Sequence, residues 1–381
     1  MKNGLPTIQV KDLVIQKHNN DLVLGTFGRG FYVLDDYSHL RKLTSEAVVK
    51  ADGIRAPAQV YAYVQASQLG GNGKSFQGAS HYFAENPQYG ANFTITLKDT
   101  LKTKKQLRKE KEAEAKKANK EIEYPKLDDL RAEVEEEAPA VFFNIFNANG
   151  EFVNRLGVPN AAGVHKLNWN LREAGVNPDQ EQGGFSFLVT PGQYFAQLTK
   201  KVAGTTTKLT EQIPFNVLPD PLSTLKPIDF AEIARFNKDA KAVQKSFAAT
   251  TKTVDEVSAK LDSMRKALKL AERPDDAVEP KLVAMADKLT VLKRKLNGDG
   301  ILAARNENVP DSIGERIRYA AGTHDDAIVK PTGTAAESMK VGTEELAEVN
   351  KSLKELMDVM PELVKRLDEL GVPWTPGRSV K

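Results

Sequence analysis

The hydrophobic period of this chain changes once, at a proline-punctuated segment. Up to Leu218, apolar residues recur in short stretches with the two-residue alternation of strands. Beyond PDPLSTLKP (Pro219 to Pro227) they recur every three or four residues, as on a helix. Side chains alternate between faces along a strand, whereas every third and fourth residue shares a face on a helix. A run of strands followed by a run of helices therefore predicts separate β and α domains and not a βαβ sheet. With 381 residues there is room for about two or three such cores.

Three short strands open the β half. VKDLVIQ (Val10 to Gln16) is β-rich, HNND (His18 to Asp21) is a turn signal, and LVLGTF (Leu22 to Phe27) follows. Gly28-Arg29-Gly30 then turns the chain into FYVLDD (Phe31 to Asp36), completing a meander. QVYAYV (Gln59 to Val64) fits a short strand and LGGNGKSFQG (Leu69 to Gly78) a loop. After NFTITLKD (Asn92 to Asp99), composition shifts to Lys, Glu, Arg and Ala over Leu101 to Glu123, basic side chains leading and acidic ones trailing, within a charged segment over 100–138. That stretch has no apolar stripe, so it reads as an exposed charged helix or hairpin insertion. Strands resume with AVFFNIF, the turn NANG and EFVNRL. In VHKLNWNL, His165, Leu167, Trp169 and Leu171 share the expected core face, opposite Val164, Lys166, Asn168 and Asn170. FSFLV, the turn TPGQ and YFAQLTKKV read as a further hairpin, and TTKLTEQIPFNVL closes the series. About seven strands over about 130 residues are the signature of a β-sandwich.

The helical half carries three amphipathic stretches. Asp229 to Glu272 bears Ile233, Phe236, Ala240, Val243 and Phe247, then Val257, Leu261, Met264 and Leu268. Glu279 to Leu296 bears Leu282, Met285, Leu289, Leu292 and Leu296, and NGDG ends it. Ala336 to Leu370 is expected to break at Pro361 and to stop at Gly371-Val372-Pro373. Such stripes predict an antiparallel bundle.

Composition excludes several classes of function. There is no cysteine, hence no disulfide, thiol nucleophile or thiolate metal site. The net charge of +3 leaves no strong nucleic-acid footprint. No apolar run approaches the roughly 18 residues that span a bilayer, and MKNGLPTIQV lacks the apolar core of a signal peptide.

Candidate chemistry is sparse. GTFGRG (Gly25 to Gly30) departs from the dinucleotide-binding pattern and precedes a strand, so it reads as a turn and not a phosphate loop. Asp35, Asp36 and Tyr37 suggest glycosidase or sialidase chemistry. Adjacent strand residues face opposite ways, however, and only Arg29 and Arg41 stand near to hold a substrate carboxylate. The histidines, His18, His39, His81, His165 and His324, have no metal-ligand spacing. Asp99, Asp128, Asp129 and the run Glu133 to Glu137 read as solvated acids, lacking the glycine-punctuated alternation of a calcium loop. The basic half of the insertion has neither interleaved aromatics for base stacking nor an apolar face for a membrane. Trp169 reads as core packing, and Trp374 as pinning the C-terminal tail; either could instead stack on a carbohydrate. The expectation is a chain with no catalytic, cofactor or metal site of its own.

The segment GLPTIQVKDLVIQKHNNDLVLGTFGRGFYVLDD resembles the closing blade of bacterial sortilin-like (VPS10-type, BNR-repeat) β-propeller proteins, often labelled glycosyl hydrolase or exo-sialidase-like. YPKLDDLRAEVEEEAPAVFFNIFNANGEFVNRL, HKLNWNLR and TPGQYFAQL are similar to the Ig-like or FlgD-like domain that follows such propellers. RNENVPDSIGERI and LGVPWTPGR are similar to the helical region beyond it. The resemblance implies a last blade over residues 1–45, an irregular connector over 46–90, and an Ig-like β-sandwich over 91–219 carrying the insertion. A helical bundle over 220–372 and a tail over 373–381 complete the chain. The family's Asp-box motifs, S-x-D-x-G-x-T-W, are not present here, which makes Met1 look like an internal methionine of a longer parent. An isolated blade would leave Leu13, Ile15, Val23, Phe31 and Val33 exposed, so either a partner chain supplying the other blades or a loosely ordered N-terminus is expected. The family is exported, which implies an extracytoplasmic location, with glycan or protein contacts in place of catalysis. The alternative is a share in a sialidase-type glycoside hydrolase whose active site lies on other blades.

Overall fold

The computed structural model describes residues 5–17, 19–42, 51–57, 59–63, 88–122, 124–176, 186–220, 229–273, 275–323 and 328–378, apart from the side chains of His39 and Lys42. The protein is a mixed β plus α chain with several sheets and a helical C-terminal region. It divides into two compact units, residues 1–174 with 188–225, and residues 175–187 with 226–381.

The first unit is built from strands. β1 (Val10–Gln16), β2 (Asp21–Thr26) and β3 (Phe31–Leu34) form the expected antiparallel meander. β4 (Gly53–Arg55) and β5 (Val60–Ala62) follow, then β6 (Ala91–Leu97). Within the stretch 46–90, expected as an irregular connector, β5 falls where QVYAYV reads as a short strand and β4 adds another. β4 pairs with β6, and β5 runs parallel to a strand more than a hundred residues away. α1 (Lys104–Lys117) and α2 (Leu127–Val134) make up the charged insertion as a pair of helices with no buried residue. Then come β7 (Ala140–Asn147), β8 (Phe152–Val158), β9 (Gly163–Trp169), β10 (Gly192–Val202), β11 (Thr205–Lys208) and β12 (Ile213–Pro219).

Among the described residues the strands form three sheets. Besides the meander, one has the order β4-β6-β9 and another the order β5-β12-β10-β7-β8, with β11 on β10. The last two face each other through aromatic side chains. The Phe93 ring of β6 lies 4.6 Å from Phe143 of β7 and 5.1 Å from Phe215 of β12. Trp169 of β9 stands 5.8 Å from Tyr194 of β10 and 5.9 Å from Phe215. The parity expected for VHKLNWNL holds: Trp169 and Leu171 are fully buried while Val164 is exposed. NANG is the turn between β7 and β8. The Asn147 Oδ1 accepts the backbone N–H groups of Asn149 and Glu151, and Gly150 adopts the left-handed conformation at φ +76°.

Among the described residues FSFLV does not form the expected hairpin strand. Leu188 makes only an isolated bridge to Arg172. The reason is that Phe187 is taken by the other unit, where it is buried with Ala240, Ala320, Ala321 and Met339. Phe185, most of PDPLSTLKP and the loop 69–78 lie outside the described residues.

The second unit holds α3 (Phe230–Leu268), α4 (Val278–Asn297), a short α5 (Gly300–Ala303), α6 (Ile313–Gly322) and α7 (Gly333–Glu369). Helix starts are chemically marked. Asp229 accepts the N–H groups of Ala231 and Glu232, and Ser312 and Glu315 form a reciprocal capping box. Leu261, Leu282, Leu289, Leu296 and Leu367 meet in one fully enclosed cluster. Pro361 does not break the last helix, which runs through it. A proline removes one backbone donor, at a cost of about 3 kcal/mol or more. Leu353 and Leu356 before it, and Leu363 and Leu367 after it, are buried in the same cluster and hold both halves on one axis.

Candidate functional site

The meander concentrates apolar side chains that the unit leaves uncovered. Register pairs Leu13 with Leu24, Val14 with Val23 and Ile15 with Leu22, and then Leu24 with Tyr32, Val23 with Val33 and Leu22 with Leu34. Cross-strand partners share a face. One face therefore carries Leu13, Ile15, Leu22, Leu24, Tyr32 and Leu34, and the other Val14, Val23, Phe31 and Val33. Both faces are apolar, a pattern that belongs to strands covered on two sides. Yet Leu13 is 53% exposed, Phe31 79% and Val33 56%, while Val23 is half-buried. Every residue of β1 is exposed, and among the described residues β1 has β2 on one side only, leaving an open edge of backbone donors and acceptors.

The glycines of GTFGRG serve the turn. Gly28 and Gly30 have φ near +76° and +74°, and the Thr26 N–H and hydroxyl both bond to the Gly30 carbonyl, at 3.2 and 2.7 Å. Asp36 also has a structural task. Its N–H donates to Asp21 Oδ1 at 3.0 Å, and its own Oδ1 accepts the Ser38 N–H at 3.2 Å and the Ser38 hydroxyl. That carboxylate thereby holds the 3-10 turn Tyr37–Lys42. Partial desolvation and the neighbouring Asp21 carboxylate raise the Asp35 carboxyl above its ordinary value, with Lys166 opposing. The Tyr37 ring is capped by the Arg41 guanidinium at 4.7 Å, which also bonds its hydroxyl. Arg29 stays exposed in the turn.

The acidic side of the insertion is engaged by neighbouring basic groups, in its own basic half and on β10. Glu133 accepts both Nε and Nη2 of Arg108 at 2.6 and 2.9 Å, Glu136 accepts the Lys104 N–H at the start of α1, and Glu137 pairs with Lys201 at 2.5 Å. Asp128 pairs with Arg131, Asp129 lies in the first turn of α2, and Asp99 is exposed. Among the described residues no three His, Asp or Glu side chains cluster as a metal site. Hydrogen bonds from Arg108 hold the Glu133 carboxyl below the usual carboxylate range. With the folded-state value lowered, the stabilisation is complete above the unfolded value of about 4 and is lost as pH falls through the lowered one. Arg108→Ala is expected to raise hydrogen exchange of the α1 amides several-fold at neutral pH and to abolish the loosening that acid causes in the parent protein. Arg131→Ala, which removes an exposed pair, should change neither.

His165 is a strand residue whose Nε2 donates to the Ala161 carbonyl oxygen at 2.6 Å. His18, His81 and His324 lie outside the described residues, as does the His39 side chain. Trp169 is core, its Nε1 donating to the Arg172 carbonyl at 2.8 Å. Trp374 shares in pinning the tail: the residue is 58% exposed, and its Nε1 donates to the Arg378 carbonyl at 2.9 Å. Arg378, which no sequence motif marks, does so from a buried position, through Asp368 and the carbonyls of Val372 and Pro373.

No family model matches the chain, and no curated protein matches it.

Proposed function

We propose that this chain is a non-catalytic structural and binding region of an extracytoplasmic sortilin-like β-propeller protein. In this reading the meander serves as the last blade, and a partner supplies the blades that cover it. The single observation that carries the reading is the meander's two apolar faces beside an open β1 edge. A sheet so built gains free energy only when both faces and the edge are covered by more sheet. The employment of Asp36 in holding a turn weighs against a carboxylate pair acting on a glycoside here.

The middle β region is read as Ig-like. Its sheets β4-β6-β9 and β12-β10-β7-β8 follow the A-B-E and G-F-C-C′ order of that sandwich, with β5 running parallel to β12 as a split first strand. Tyr194, at the start of β10 in the place of strand F, donates its hydroxyl to the Thr190 carbonyl at 2.6 Å, as in a tyrosine corner. Burial pushes that phenol up to about 12, partly offset by the hydrogen bond to Thr190. A tryptophan on the equivalent of strand E, and not C, is a departure from antibody domains.

The test is binding to a separately expressed chain of Asp-box propeller blades, followed by analytical ultracentrifugation. Phe31→Lys and Val33→Lys, both at exposed positions, are expected to leave the fold intact and to weaken binding by about tenfold or more each. Undiminished binding by both variants would reject the blade reading. Hydrolysis of an aryl glycoside or sialoside by this chain, lost in Asp35→Asn, would reject the non-catalytic one.

A further inference from the structure

The helical unit carries an open groove of about 680 Å³ between α4 and α7. Its floor is Met285 and Leu292 from α4 with Leu356 and Leu363 from α7, the outer layer of the bundle core. Val291 and Val359 stand on the walls, 51% and 45% exposed. The helices run antiparallel: Lys281 lines one end with Glu362, and Lys295 approaches Glu348 to 3.9 Å toward the other.

Charge on the two walls is segregated. The α4 wall carries Lys281, Lys288 and Lys295, each seven residues from the next. The α7 wall carries Glu355 and Glu362, again seven apart. Seven residues are about two helical turns, so each set forms a row parallel to its helix axis, and the lysine row is about 21 Å long. Lys288, Glu355 and Glu362 make no ion pair among the described residues, so both rows are available to something lying between them.

The shape and charge select among occupants. An anionic membrane or a nucleic acid would be repelled by the glutamate row. A second copy would set one concave face against another and leave the floor uncovered. A single helix fits: its diameter and seven-residue repeat match an apolar trough flanked by two axial rows. We infer that this groove binds one amphipathic α-helix of a protein partner, about four turns long, apolar toward the floor, acidic along α4 and basic along α7. This surface is independent of the meander, so the chain presents two distinct binding faces.

The probes are three synthetic helical peptides of 18 residues or so, sharing one leucine stripe. Their flanks are glutamate and lysine, glutamate on both sides, or lysine on both sides. Isothermal calorimetry with the full chain is expected to show the mixed-flank peptide binding about tenfold tighter than either other peptide. Lys281→Glu/Lys288→Glu, which leaves only Lys295 basic on the α4 wall, should transfer the preference to the lysine-flanked peptide. Val359→Asp should abolish binding of all three, and circular dichroism verifies that both variants keep their helices. A nitroxide on the N-terminus of the mixed peptide should broaden resonances at one end of the groove, and exchanging its flanks should move the broadening to the other end. The inference is overturned if no peptide binds, if binding ignores flank charge, or if the chain instead dimerises through this face and Val359→Asp makes it monomeric.

Discussion

Gly90→Ala is expected to lower the melting midpoint of the β unit by about 10 °C. Gly90 precedes β6 with φ +111°, and a Cβ there would lie 2.0 Å from the Trp169 carbonyl oxygen and 2.9 Å from the Asn170 Cα. Neither side can yield. Ala91 pairs with Trp169, and both are fully buried between the two facing sheets. Restoring van der Waals distance means parting β6 from β9 and displacing the tryptophan from Tyr194 and Phe215. The backbone strain alone costs about 1–3 kcal/mol, and the lost packing brings the total to about 3–5 kcal/mol. At about 2–4 °C per kcal/mol for a unit of this size, that gives the stated shift. Gly150→Ala is the control. Its φ of +76° is also left-handed, but nothing lies within 4 Å of the added methyl, so about 1–2 kcal/mol is expected. Fluorescence of buried Trp169 in a Trp374→Phe background reports the β unit alone. Equal shifts for the two alanines would show that the close approach at Gly90 costs nothing.

That glycine also marks where sequence reasoning stops. Local chemistry was readable: NANG and GRG announce their turns, alternation puts Trp169 and Leu171 inward, and the leucines of α4 recur at helical spacing. What depends on a distant partner was not. Gly90 looks like any loop glycine until β9, some eighty residues on, is laid against it. β4 is three residues long, too short to show a period, and exists because β6 is there to pair with it; β5 falls within the strand read at QVYAYV, but its parallel pairing with the distant β12 left no local mark. Pro361 breaks a helix in isolation but not one clamped on both sides by a leucine core.

The candidate surfaces divide in the same way. Apolar residues at both parities of β1 to β3 already imply a sheet covered on two faces, and the structure adds which side chains stand uncovered. The groove was hidden in plain residues. Lys281, Lys288 and Lys295 belong to no sequence motif, and neither do Glu355 and Glu362. Only when α4 and α7 lie side by side do the rows become opposite walls of one trough.

The second large effect concerns the C-terminal tail, which Arg378 is expected to hold by about 2–4 kcal/mol. Its side chain is 5% exposed and is surrounded by acceptors: Asp368 Oδ1, the Pro373 carbonyl at 2.5 Å and the Val372 carbonyl at 3.1 Å. A planar guanidinium reaches all three at once; an ammonium presents one point charge and cannot. Arg378→Ala removes a charged donor from the half-buried Asp368 and from two carbonyls, and the helical unit should melt about 5–10 °C lower. Arg378→Lys should recover only part of that loss. Asp368→Ala should cost as much or more, because it strands a buried cation. Arg378→Met with Asp368→Leu removes both charges while keeping apolar volume, and should be milder than either alanine variant. If the double variant instead shows the sum of the two single losses, the residues act independently, and the tail is held by Val372 and Thr375, both buried beside them.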